Sequence, residues 1–242
     1  MLYTTRGIVF HQLKYAETSV IVKIYTERFG LQSYIVRGIH GRKSKIKPAL
    51  LQNMSLVDLV VYHREKKEIQ ELKEIKINRP FYSIPFDVRK AAVFMFINEI
   101  LNKVIHEEEA NESLFEFLYR SVIQLDEQVK GIGKLHLQFL LKLSVYLGFA
   151  PVNNFSEGNS VFDLREGKFS SINIHPEYFA SLPFSNYISS LMLIDFGHTD
   201  KLTIPSKDRT VLLDILLRYY FLHVPGMKEV KSHQVLKSIF ND

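Results

Sequence analysis

The hydrophobic pattern of the chain changes period once, near residue 80. Before it, Gly7 to Phe10 and Ser19 to Tyr25 are rich in β-branched and aromatic residues. In the second run Val20, Val22 and Ile24 alternate with Ser19, Lys23 and Tyr25, with Ile21 the apolar exception, which predicts a strand with one buried face. Phe29-Gly30 reads as a turn, Leu31 to Val36 as a third strand and Leu56 to Tyr62 as a fourth. Glu68 to Ile77 carries both periods: Ile69, Leu72 and Ile75 are spaced for a helix, Ile75 and Ile77 for a strand. Its β-like neighbours favour a fifth, bulged strand. Five short strands in about 75 residues predict a small closed barrel, which leaves no exposed sheet edge. An OB-type barrel and an SH3-like barrel both have this size and strand count, and the period does not separate them.

Beyond Asn78-Arg79-Pro80 and Pro85 the pattern becomes helical, so the domain boundary is placed here, with residues 1–79 as the barrel and 80–242 as a mainly α-helical domain. Helical spacing covers Val88 to Ile105, Ser113 to Val129 and Lys134 to Leu147, the last closed by Gly148 with Pro151 just beyond. Residues 152–204 read as an irregular insertion. A further helix spans Lys207 to Leu222 before Pro225-Gly226, and a short one His233 to Phe240, with Ser232 placed to cap it. The predicted class is therefore α+β, an all-β barrel followed by helices.

Composition narrows the chemistry. The 242 residues include no Cys, which excludes disulfides, thiol nucleophiles and thiolate zinc sites. No apolar run approaches the ~18 residues of a membrane span, and no signal peptide is visible at Met1 to Arg6. A cytoplasmic, nucleoid-associated protein is expected. The net charge of +5 is unevenly placed: residues 1–80 hold 15 Lys and Arg against 7 Asp and Glu, and residues 81–200 hold 9 against 15. Such asymmetry points to a polyanion partner for the first part.

The basic charge concentrates in the stretch from Arg37 to Pro48, where Arg37, Arg42, Lys43, Lys45 and Lys47 occur without an acid; none lies between Glu27 and Asp58. Gly38 and Gly41 let the backbone approach a phosphate, although a solvated basic loop has the same composition. These five residues are the first candidates for DNA contact, with Arg6, Lys14 and Lys231 behind them. The glycine spacing is wrong for a Walker A loop. Phe10, Tyr15, Tyr25, Phe29 and Tyr34 are candidate stacking surfaces, Tyr25 and Tyr34 foremost because their hydroxyls favour partial exposure. His106-Glu107-Glu108-Glu109 lacks the second His of H-E-x-x-H, the nine His form no zinc pattern, and no G-x-S-x-G elbow occurs. No enzyme, metal or cofactor is expected.

Arg6-Gly7-Ile8-Val9 with Tyr15 to Ser19, Thr26 to Gly30 with Arg37-Gly38 and Arg42-Lys43-Ser44, Phe139 to Pro151, and Leu217 to Tyr220 with Lys228 and Lys231-Ser232 resemble, in order and spacing, the RecO family of bacterial DNA-repair proteins. The resemblance spans nearly the whole chain. It implies an OB barrel and a recombination mediator that binds single- and double-stranded DNA and anneals complementary strands. It also implies partnership with RecR and with the C-terminal tail of the single-strand DNA-binding protein, in the loading of RecA. Zinc-bearing members carry four cysteines after the Gly-aromatic turn; Val152 to Ile174 has none here. A basic residue that precedes the helix Phe in some members is replaced by Leu137 and Gln138, which leaves His136, Phe139, Lys142 and Tyr146 as the candidate tail site. A protein-interaction adaptor with incidental nucleic-acid binding is the alternative.

Overall fold

The computed structural model describes residues 1–39, 46–171 and 176–240. Its contacts define two units, one of residues 1–82 with 98–123, the other of residues 83–97 with 124–242.

In the first unit, strands β1 (Leu2–Ala16), β2 (Ser19–Thr26), β3 (Gly30–Val36), β4 (Leu56–Tyr62) and β5 (Ile69–Arg79) close into a barrel in the order β1-β2-β3-β5-β4. β3 runs parallel to β5 while every other pairing is antiparallel. That order is the OB type, which decides between the two barrels left open by the period. β5 is bulged as expected, with register shifts against β4 at two places. Val9, Val22, Ile24, Tyr34, Leu51, Val57, Leu59 and Val61 fill the interior.

β1 is longer than the apolar pattern predicts. Its first half pairs with β4 and its second with β2, and beyond Phe10 its side chains carry no burial signal.

One end of the barrel is covered from within the same unit by the end of helix α1 (Val88–Val104) and the start of α2 (Glu112–Glu127). Phe10, Tyr25, Phe115 and Tyr119 stack in succession at 5.7, 6.3 and 5.8 Å. The Leu31 amide donates to Glu107 O at 3.2 Å. Gly30 sits at φ +64°, and a Cβ there would lie 2.3 Å from Glu109 O, so the β2–β3 turn requires glycine.

In the second unit α3 (Ile132–Tyr146) is buried on nearly all sides and packs against α4 (Phe184–Leu193) and α5 (Ser206–His223). Gly148 at φ +83° ends α3: the Phe149 amide donates to Ser144 O at 3.1 Å and the Gly148 amide to Val145 O, a Schellman closure. Tyr220 Oη donates to Leu140 O at 2.7 Å and Tyr219 Oη to Phe149 O at 2.5 Å, which fixes α5 to α3. The last helix, α6 (His233–Phe240), begins with the Leu236 amide donating to Ser232 O.

The stretch expected to be irregular holds a small antiparallel sheet of β6 (Val161–Asp163), β7 (Lys168–Ser170) and β8 (Phe179–Ala180), and helix α4. The strands are too short to show a period. α4 is poor in helix formers, but its Ser185, Ile188, Ser189 and Leu191 are buried at helical spacing, so packing rather than propensity makes the helix.

Candidate nucleic-acid interface

The inward positions Val20, Val22 and Ile24 of β2 and Tyr34 and Val36 of β3 are buried, so alternation turns Ile21 and Lys23 of β2 and Ser33 and Ile35 of β3 to the outer surface. In OB barrels this face and the β1–β2 and β4–β5 connections form the oligonucleotide-binding surface. Register places Leu13, Ile21, Ile35 and Glu71 in one cross-strand row, and His11, Lys23, Ser33 and Ile69 in the next.

Two basic segments border this face. The first begins at Arg37, whose guanidinium lies 3.7 Å from Glu71 with both side chains mostly exposed, a pair worth little in water. The Ile39 amide donates to Thr18 O at 3.0 Å, which ties the start of the basic stretch to the β1–β2 turn. Ile39 and Ile46 are both buried in the barrel core, and Lys47 is exposed beside the latter. Arg42, Lys43 and Lys45 lie outside the described residues.

The second segment is the β4–β5 turn, which carries Arg64, Lys66 and Lys67, all exposed. The buried Gln70 side chain shapes it: its amide donates to Arg64 O at 2.9 Å and Lys67 O at 2.6 Å, while its oxygen accepts from the Arg64 amide at 2.9 Å. Arg37, Arg64 and Lys67 together line a small groove with Ile35, Tyr62, Ile69, Gln70 and the acid Glu71. Sequence reading missed Arg64 and Lys67, because Glu65 and Glu68 interrupt their run and only the parallel pairing of β3 with β5 brings them beside Arg37.

Several expected site residues are placed elsewhere. Arg6 is a structural cation: its Nη2 and Nε donate to Glu27 at 2.6 and 3.0 Å, it also pairs with Glu116, and it lies over the Phe115 and Tyr119 rings. Hydrogen bonds to these two carboxylates raise its pKa further, and its charge is spent. Lys14 is exposed on the β1–β2 ribbon. Lys231 is exposed at the approach to α6, in the other unit. Tyr25 and Tyr34 are fully buried, and burial pushes the Tyr25 hydroxyl up to about 12. Of the five aromatics singled out from the sequence, only Tyr15 is largely exposed, at 61%.

Of the four residues expected at the tail site, two lie in the core. Phe139 and His136 are core residues, at 0% and 3% exposure. His136 stacks on Phe240 and meets Phe96 edge-on, and burial, then Arg209, pushes its pKa down to about 3, so it carries no charge for an acidic tail. Gln138 is buried and bonds the backbone of Ile194, Asp195 and Gly197. Lys142 donates to Met192 O at 3.2 Å, and Tyr146 stays partly exposed.

The same unit holds a hollow of about 420 Å³ at the start of α3, where Arg89, Lys130, Lys134 and Arg209 are joined by residues 131–133 and the apolar Val129, Ile204 and Phe240. Arg209 Nε is buried without a hydrogen-bond partner among the described residues. Burial, then Arg209, lowers the Lys134 pKa, with Asp200 opposing. No group of three or more His, Asp or Glu among the described residues is placed to hold a metal ion, and no described helix is long and apolar enough to cross a membrane.

An OB barrel with a cation-bordered outer face, followed by a helical unit, places the chain in the OB-fold class of architecture. Family comparison makes the assignment specific: residues 1–81 match the model for the N-terminal part of recombination protein O, and residues 85–233 match that for its C-terminal part. The chain belongs to the RecO family of DNA repair proteins. It is 38% identical to the DNA repair protein RecO of Flavobacterium psychrophilum and 33% identical to that of Bacteroides fragilis, in each case over all of both chains. The corresponding protein of Flavobacterium johnsoniae is 36% identical over the same full length.

Proposed function

We propose that this chain is a non-enzymatic recombination mediator that binds single- and double-stranded DNA and anneals complementary strands. With RecR it would assist RecA loading on DNA coated by the single-strand DNA-binding protein. The observation that carries the reading is the OB outer face bordered by Arg37, Arg64 and Lys67; the acid-free stretch from Arg37 to Lys47 adds charge in sequence. Cations in this arrangement screen the repulsion between two strands, and each phosphate neutralised releases counterions. Arg42, Lys43 and Lys45 belong to the proposed contact set by charge and position in the sequence. Lys14 is a peripheral member, and Lys231 a separate one in the helical unit.

The test is fluorescence anisotropy of a labelled oligonucleotide with the double variant Arg42→Glu/Lys45→Glu. Weaker binding with a flatter dependence on log salt is expected. Unchanged affinity and slope would remove the loop from the site. Annealing of DNA coated with the cognate single-strand DNA-binding protein then tests strand handling and partner recognition together.

A protein-partner role for the helical unit is supported by the cation-lined hollow beside α3. In this reading an acidic segment, the tail of the single-strand DNA-binding protein, is held by Lys130, Lys134 and Arg209, with Lys142 and Tyr146 as outlying contacts. A labelled tail peptide should bind the wild-type chain and bind Lys130→Glu at least tenfold more weakly. Equal affinity would move the partner site elsewhere.

A further inference from the structure

We propose that Tyr15, at the end of the β1–β2 ribbon, is a stacking platform for unpaired bases and adds affinity for single strands to the DNA site. The inference rests on the DNA-binding reading above and concerns the unpaired bases that the same surface holds.

β1 has 15 residues and β2 only eight. Of the ribbon they make, only the last pair, Ala16 with Ser19, lies beyond the β2–β3 pairing, which starts at Val20; along β1 itself, Gly7 to Phe10 are buried, whereas every residue from Gln12 to Thr18 is exposed. A ribbon end of this kind usually carries polar side chains, yet this one presents Tyr15 at 61% exposure and Leu13 at 55%. Tyr15 is also set off from the ladder. Lys14 pairs with Val20 and Ala16 with Ser19, so Tyr15 is the extra residue where the register shifts. A bulge re-aims the side chain that occupies it.

Position relates the ring to phosphate-binding charge. The ribbon turn accepts the Ile39 amide, so the basic stretch starts at the end of the barrel where Tyr15 stands. Lys14 is its neighbour in sequence and Lys23 occupies the outer face of β2. From Leu13 the apolar row continues through Ile21 to Ile35, across the face flanked by Arg37. A strand whose phosphates follow those cations can lay an unpaired base on the Tyr15 ring. In a duplex the base faces are covered by their neighbours, so stacking is open only to single strands, frayed ends and junctions.

The experiment compares three fluorescein-labelled probes of equal phosphate number with the full-length chain: an oligothymidine strand, the same strand built of abasic sites, and a blunt duplex. Wild type should bind oligothymidine roughly tenfold more tightly than the abasic strand, as one stacked base predicts. Tyr15→Ala should lose that difference and keep the abasic and duplex affinities and the salt slope. Tyr15→Phe should restore it, because the ring and not the hydroxyl is used. Wild type that treats thymidine and abasic strands alike would overturn the proposal. So would Tyr15→Ala that keeps the full difference, or that weakens all three probes equally. A wild-type chain that binds none of the probes would instead remove the DNA-binding reading itself, and this inference with it.

Discussion

Single positions in this chain show how burial decides a role that residue type leaves open. Arg6 is as basic as Arg37, but two carboxylates and two aromatic rings hold it. Arg6→Ala should therefore cost about 1–3 kcal/mol of stability, as loss of charged hydrogen bonds does, and leave the salt slope of DNA binding unchanged. Urea melts and anisotropy titrations on the same preparation check both halves. His136 gives a pH signature. Its folded pKa of about 3 lies below the ordinary 6.5, so above pH 6.5 it is neutral in both states and costs nothing. As pH falls below 6.5 the unfolded chain takes up the proton and the folded chain does not. Stability should then drop by up to about 1.4 kcal/mol per pH unit, until the folded pKa is passed. In His136→Leu this component of the pH dependence should vanish, which urea melts at pH 7.5, 6.5 and 5.5 will read; an unchanged slope would mean that the imidazole is accessible.

At the scale of elements, the β4–β5 turn shows a connection held by one side chain. Gln70 makes three hydrogen bonds to the turn backbone from a buried position. Gln70→Ala leaves those groups without their partner and should cost about 1–3 kcal/mol. It should also speed amide exchange across residues 63–68 and weaken oligonucleotide binding, since Arg64 and Lys67 lose their fixed placement. At the start of α1, Asp87 accepts from the Arg89 amide at 2.9 Å and from its guanidinium at 2.8 Å. The Arg89 hydrogen bond is the chief reason that the Asp87 pKa falls to about 2. Its contribution is whole above about pH 4, fades as pH falls through 2, and should be lost in Asp87→Ala at a cost of about 1 kcal/mol, the usual worth of a helix N-cap. Much of the architecture was legible in the sequence, because long elements repeat their period: the strands from Ser19 to Val36 and the helices α1, α3 and α5 fall where alternation and helical spacing put them. α4 and the small sheet were not, since buried serines and three-residue strands carry no such signal. In the candidate site the charge of Arg37 and Lys47 was legible. The groove that joins Arg37 to Arg64 was not, because it depends on a non-local parallel pairing.

For the molecule as a whole, the sequence break near residue 80 and the division of contacts are different things. The unit that contains the barrel takes in residues 98–123 as well as 1–82. Those later residues are part of its core: Phe115 is fully buried and stacks on Tyr25, Glu107 and Glu108 carbonyls accept from Leu31 and Gln32, and Asn102 bonds His11 at 2.8 Å. Cutting the chain after the last barrel strand would uncover Phe10 and Tyr25 and leave the Arg6 site with one of its two acids. Small domains have little stability to spare, so a fragment of residues 1–82 should unfold at much lower urea than the barrel does in the full chain, or associate through the uncovered rings. Circular dichroism with gel filtration reads both. Loss of DNA binding by such a fragment would then report lost folding rather than a binding site in the helices, which is why charge reversal at Arg37, Arg64 and Lys67 in the intact chain is the sharper probe of where DNA lies. If the OB face is the site, the triple reversal should abolish binding at moderate salt while the intact chain keeps its wild-type melting transition. If a fragment of residues 1–82 instead melts like the full chain, the cover over Tyr25 contributes nothing, and the barrel is a self-sufficient module.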